Sequence, residues 1–215
     1  MRIYTCFALI FFLISCKKES SKSTINNNTS KILKETVEEK LFLLPLNKSL
    51  SDSTIKFPYK LKENEISIII GISYGWFPYD ERNHFVYSND STLKYFKEII
   101  PKEYIKNNKV KYSFKEVELN SDLKSKFISN LNSSETKLFL NYEQENFKFR
   151  TNKVNRSCFI TDSNGYSIHF IQNNNFKSYW HYAPKFALEK CEDSTINKTM
   201  LKEFIQLLEN WNIEL

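Results

Sequence analysis

Residues 65–77, EISIIIGISYGWF, place Ile66, Ile68, Ile70 and Ile72 at alternate positions. A β-branched run with period two reads as a strand, central in its sheet. Residues 84–99, HFVYSNDSTLKYFKEI, carry an Asn89-Asp90-Ser91 turn signal between two aromatic-rich runs, which predicts a hairpin. The same stretch also fits a helix from Ser91, because Leu93, Phe96, Ile99 and Ile100 share a helical face. Residues 108–119 read as another strand, with Val110, Tyr112 and Phe114 on one side. Residues 120–131 then read as a helix capped by Asn120 or Ser121, with Leu123, Phe127 and Leu131 inward.

The second half follows the same order. Residues 137–150, KLFLNYEQENFKFR, and residues 156–182 read as strands, and residues 199–211 as a helix with Leu201, Phe204, Ile205, Leu208 and Trp211 on one face. Asn164-Gly165 and Asn173-Asn174-Asn175 are hairpin signals. With a three-residue second loop, parity puts Phe159, Trp180 and Tyr182 on the buried face. His169, Tyr179 and His181 take the other face, where Cys158 stands opposite His169. The expected fold is therefore α+β: a mainly antiparallel sheet with two or three packed helices, in two similar strand-strand-helix halves.

Ahead of this domain, residues 31–44 space Leu33, Val37, Leu41 and Leu44 as a helix that Pro45 stops. Residues 17–30, KKESSKSTINNNTS, hold one apolar residue and read as a flexible tether. Residues 3–15 carry no charge, follow Arg2, and are too short to span a bilayer as a helix. They end in Leu13-Ile14-Ser15-Cys16. This resembles the lipobox of bacterial lipoproteins, in which the cysteine thiol takes a diacylglycerol and the leader is cut before it. The resemblance covers residues 1–16. It implies a signal peptide over residues 1–15, acyl chains on Cys16, a membrane partner and a place in the cell envelope. Lys17 is not the aspartate associated with inner-membrane retention, so the outer membrane is favoured and the leaflet stays open. A single domain over residues 31–215 would hang from the tether.

Composition removes function classes more readily than it supplies them. The formal charge of +6 falls by one with Arg2, and the lysines are scattered among asparagines, so no nucleic-acid partner is expected. Three glycines exclude a dinucleotide fingerprint and a P-loop, and no zinc, redox or serine-hydrolase motif occurs. No cofactor or metal is expected. Cys158 and Cys191 are the natural disulfide of an exported chain, closing a loop of about 34 residues worth about 4 kcal/mol in the chain-entropy picture. The rival use of Cys158 is a nucleophile activated by His169.

Candidate binding residues lie in two places. Residues 74–85, YGWFPYDERNHF, combine Trp76 and Tyr79 with Arg82, and the chain returns to aromatics at Trp180 and Tyr182. The leading expectation is non-catalytic binding of a protein or envelope component. A glycan-binding lipoprotein is the alternative, and it requires two of these rings exposed side by side.

Overall fold

Ile66, Ile68, Ile70 and Ile72 are the middle of the molecule, each 8% exposed or less. In the computed structural model the described residues are 43–52, 58–63, 65–88, 90–150 and 158–211. All of them fall within one compact unit, Glu38–Leu215. The leader, Cys16, the tether and residues 31–42 of the leading helix lie outside the described residues. Of that helix, only Leu43 and Leu44 are described; they are irregular, with Leu44 buried.

Among the described residues the seven strands are β1 (Lys48–Ser49), β2 (Glu65–Ser73), β3 (Tyr79–Ser88), β4 (Leu93–Pro101), β5 (Ser113–Val117), β6 (Gly165–Gln172) and β7 (Asn175–Tyr182). They form one sheet in the order β1-β7-β6-β2-β3-β4-β5, and every neighbouring pair is antiparallel. The isoleucine strand β2 is thus central, with the β3–β4 hairpin on one side and the β6–β7 hairpin on the other. Residues 84–99 resolve as the hairpin rather than the helix, with Ser91 in the left-handed region at φ 59°.

Among the described residues, four α-helices accompany the sheet: α1 (Ser121–Asn132), α2 (Ser134–Phe139), α3 (Pro184–Glu189) and α4 (Lys198–Asn210). Phe127 and Leu131 of α1, Phe139 of α2, and Leu201, Phe204 and Leu208 of α4 meet the even-numbered isoleucines, Phe85, Ile168 and Phe170 in one core. Fully burying each such side chain is worth about 1.5–3 kcal/mol. The Asn120 side chain caps α1 by accepting from Leu123 N at 2.8 Å. Asn197 caps α4 in the same way, accepting from Met200 N at 3.1 Å.

Three sequence expectations change. Residues 137–150 are not a strand: they hold the end of α2 and a 3-10 turn at Gln144–Phe147. Ser133 caps α2 by accepting from Thr136 N, and this local bond competes with the extended form that the alternating Leu138 and Leu140 invite. Residues 158–164 are irregular, so Asn164-Gly165 leads into β6 and turns no hairpin. The β6–β7 loop has two residues, Asn173 and Asn174, both at positive φ (49° and 61°). Asparagine tolerates that conformation, which matches the twist of the flanking strands. The register therefore pairs Ile168 with Tyr179 and His169 with Ser178. One residue fewer in the loop turns Tyr179 and His181 toward the helices, and Trp180 and Tyr182 toward the opposite face.

Candidate binding site at one end of the sheet

The C-terminal end of β2, the N-termini of β3 and β6, and the C-terminal end of β7 coincide, because Ser73 pairs with both Asp80 and Gly165, and Gly165 with Tyr182. Residues 74–78 cross this end as a loop. Trp76 is 75% exposed and Phe77 51%. Such exposure would usually mean a floppy tip, yet this loop is held from three sides. The buried Lys102 donates its ammonium to the Tyr74 carbonyl, places it 3.4 Å from Asp80 Oδ1, and donates its backbone N–H to Pro78 O at 2.9 Å. Asn108 Nδ2 donates to Pro78 O at 2.7 Å, and Gly75 N donates to Asn164 Oδ1 at 3.3 Å. A side chain at Gly75 would stand 2.8 Å from the Ser163 carbonyl, so glycine is what lets the loop sit against residues 162–164.

Tyr74, Phe77 and Tyr79 form a ring triangle with centroids 5.0–5.7 Å apart. Burial, with Glu81 and Tyr79 adding, pushes the Tyr74 phenol up to about 12. Tyr79 is thus a half-buried buttress, and Trp76 is the ring open to solvent. Arg82 also departs from expectation. Its stem lies over Gly71, and its Nη1 reaches to 3.6 Å from Glu98 Oε2 instead of joining the aromatics.

Glu98 is 4% exposed and well supplied with partners: His84 Nε2 lies 2.9 Å from Oε2, and Tyr112 donates to Oε1 at 3.1 Å. Burial opposes its ionisation, but the His84 bond and charge, Arg82 and Tyr112 hold its carboxyl below the usual range. His84 and His169 flank Ile69 in register. Burial, with Arg82 and His84 adding, lowers the His169 imidazole to about 3. A carboxylate with this many partners has little freedom to shuttle protons. Among the described residues, no cluster of three His, Cys, Asp or Glu side chains could hold a metal.

Around the corner, Trp180, Tyr182, His181 and Phe159 line an open cleft of about 690 Å³ with Phe147, Phe186 and the Cys158–Cys191 pair. The two cysteines are bonded, their Cα atoms 5.5 Å apart, so Cys158 is not a free thiol facing His169. The imidazole of His169 instead meets Ser178 Oγ at 2.7 Å. Phe159 is 81% exposed and Trp180 50%, where loop parity had predicted both buried. Gln144 guards the edge of β7: it accepts from Trp180 N at 2.7 Å and donates to Trp180 O at 2.9 Å, as a neighbouring strand would. Burial lowers the His181 imidazole, with the Tyr182 carbonyl opposing.

The expected residues therefore split. Trp76 stands on the loop, Trp180 and Tyr182 share the cleft, and Tyr79 and Arg82 serve the framework. Phe77 stands beside Trp76 as the 74–85 stretch suggested, whereas Phe159 and Gln144 were missed; the sequence marks Phe159 only by its place beside Cys158. No helix among the described residues is long and apolar enough to cross a membrane. No protein-family model matches the chain, and a search of curated proteins finds no match.

Proposed function

We propose that the chain is an envelope lipoprotein, fastened by acyl chains on Cys16, preferentially to the outer membrane, whose folded domain binds a protein partner without catalysis. The observation that carries the binding part is the pairing of exposure with rigidity at residues 74–78. Trp76 and Phe77 are open to solvent, while Lys102, Asn108 and Asn164 fix the backbone beneath them. A pre-ordered aromatic loses little conformational freedom on docking, so most of its burial energy goes into affinity. A buried tryptophan of this kind typically contributes about 2 kcal/mol or more. The bonded Cys158 argues against the cysteine-nucleophile alternative. The anchor rests on the leader and on Leu13-Ile14-Ser15-Cys16.

A photo-crosslinking residue at position 76 in the native host should give a discrete adduct that is lost with Phe77→Ala. The same residue at Leu138, exposed on α2, should not give that adduct. Identical patterns at both positions would remove the loop from the reading. Mass spectrometry of the host protein should find an N-terminal acylated Cys16, and a chain still starting at Met1 would remove the anchor.

A further inference from the structure

The loop that holds Trp76 in place is itself charged. Residues 102–112 fasten the 74–78 loop: Lys102 donates to Tyr74 O and Pro78 O, and Asn108 Nδ2 to Pro78 O at 2.7 Å. The Lys102 ammonium also stands 6.0 Å from the ring centre of Tyr104, so a further aromatic, 76% exposed, borders the 74–78 loop. Within three residues of Asn108 lie Lys106, Lys109 and Lys111, all exposed. None of them belongs to an ion pair among the described residues. The acids at this end are placed differently. Asp80 faces Lys102 at 3.4 Å and Glu81 meets Lys97 at 3.0 Å, so both are answered within the framework. The Asp162 backbone adjoins Gly75, and Glu103 is the one acid in residues 102–112. Three unpaired lysines against one glutamate make that loop a basic flank to the aromatic tip.

We propose that the protein surface receiving Trp76 is acidic where it meets residues 102–112; this rests on the protein contact proposed above for the 74–78 loop. The two parts of the tip have separate roles. Burial of the uncharged Trp76 and Phe77 supplies affinity, while the three cations draw in an oppositely charged surface and set its orientation. Because none of the three must give up an acid of its own chain, each is free to attract a partner carboxylate. A protein is favoured over the lipid surface that would hold the anchor, because the chain enters the domain at the far end of the sheet. Leu44 N donates to Gln172 Oε1 at 2.8 Å, and β6 sets Gln172 about 23 Å from Gly165 at the Trp76 end.

Photo-crosslinking of the full-length chain from position 76, in isolated envelopes of the native host, tests this. Mass spectrometry of the adduct should place the crosslinked partner peptide beside a cluster of Asp and Glu. Lys106→Glu, Lys109→Glu and Lys111→Glu together should slow adduct formation by about tenfold or more, and the three changes to Gln by about threefold. Raising salt from about 50 to about 500 mM should slow the parent chain and barely affect the Gln variant. The same reversal at Lys124, Lys190 and Lys202, exposed elsewhere in the domain, should have far less effect. An adduct formed at an undiminished rate with the reversed loop overturns this inference and leaves the protein contact standing. No adduct at position 76 removes the contact and the inference with it, and an adduct to lipid instead of protein overturns both.

Discussion

The two faces of the sheet solve the problem of burial in different ways. Toward the helices, β2 and its neighbours offer Ile66, Ile68, Ile70, Phe85, Ile168 and Phe170, and the helices answer with leucine and phenylalanine. Toward the other side the same strands offer Ser67, Gly71, His84, Glu98 and His169 among smaller apolar groups: Ile69, Ile171 and Phe176 packed by Leu50 and Leu61, and Val86 and Phe96, the latter stacked on Phe114. The first face is held mainly by area, and His181, whose imidazole burial lowers, gives it a smaller dependence on pH. The second adds charge and hydrogen bonds to that packing, so its stability depends also on protonation and on each partner being present.

Four measurements sharpen that contrast. Phe204→Ala, on the helix side and fully buried, should cost about 4 kcal/mol in denaturant unfolding, independent of pH near neutrality. Glu98→Ala should cost about 3 kcal/mol, because it strands the groups that converge on the carboxylate; a loss below about 1 kcal/mol would mean that the network contributes little. The third is a pH profile. His169 titrates near 3 in the folded chain against 6.5 in the unfolded, so below pH 6.5 the unfolded chain takes up a proton that the folded one refuses. Its contribution is fully present above pH 6.5 and falls by about 2 kcal/mol between pH 6.5 and 5. His169→Gln should flatten that limb, leaving the shallower share of His181, which is lowered as well. An unchanged slope would mean that His169 is not held neutral. The Glu98 carboxylate acts lower: it stabilises above the unfolded carboxylate range and is lost as pH falls through its own depressed value. The smallest effect is Gly71→Ala, whose new Cβ would run into Ser167 Oγ; turning that hydroxyl away should cost about 1 kcal/mol.

The helix face was legible in the sequence and the other face was not. Alternating isoleucines announce β2, and the spacing of Leu201, Phe204, Ile205 and Leu208 announces α4, because each element writes its buried side within a few consecutive residues. The second face joins His84, Glu98 and His169 from three strands, and their proximity exists only once the β6–β2–β3–β4 register is known. The aromatic end was half legible. Trp76, Trp180 and Tyr182 were picked out by composition, but the two-residue turn at Asn173-Asn174 decides that Trp180 faces out and Tyr179 in. Residues 137–150 were misread for a local reason: Leu138, Leu140, Phe147 and Phe149 alternate like a strand. The Ser133-Ser134-Glu135-Thr136 cap before them was the signal to weigh.

The Cys158–Cys191 bond, 33 residues apart in sequence, makes a covalent ring that contains β6, β7 and α3 in full. A single peptide cut anywhere inside that ring frees nothing: the two fragments stay joined and migrate as one species until a reductant separates them. A molecule nicked by a protease within that ring would therefore gain only one water in mass and stay a single covalent species.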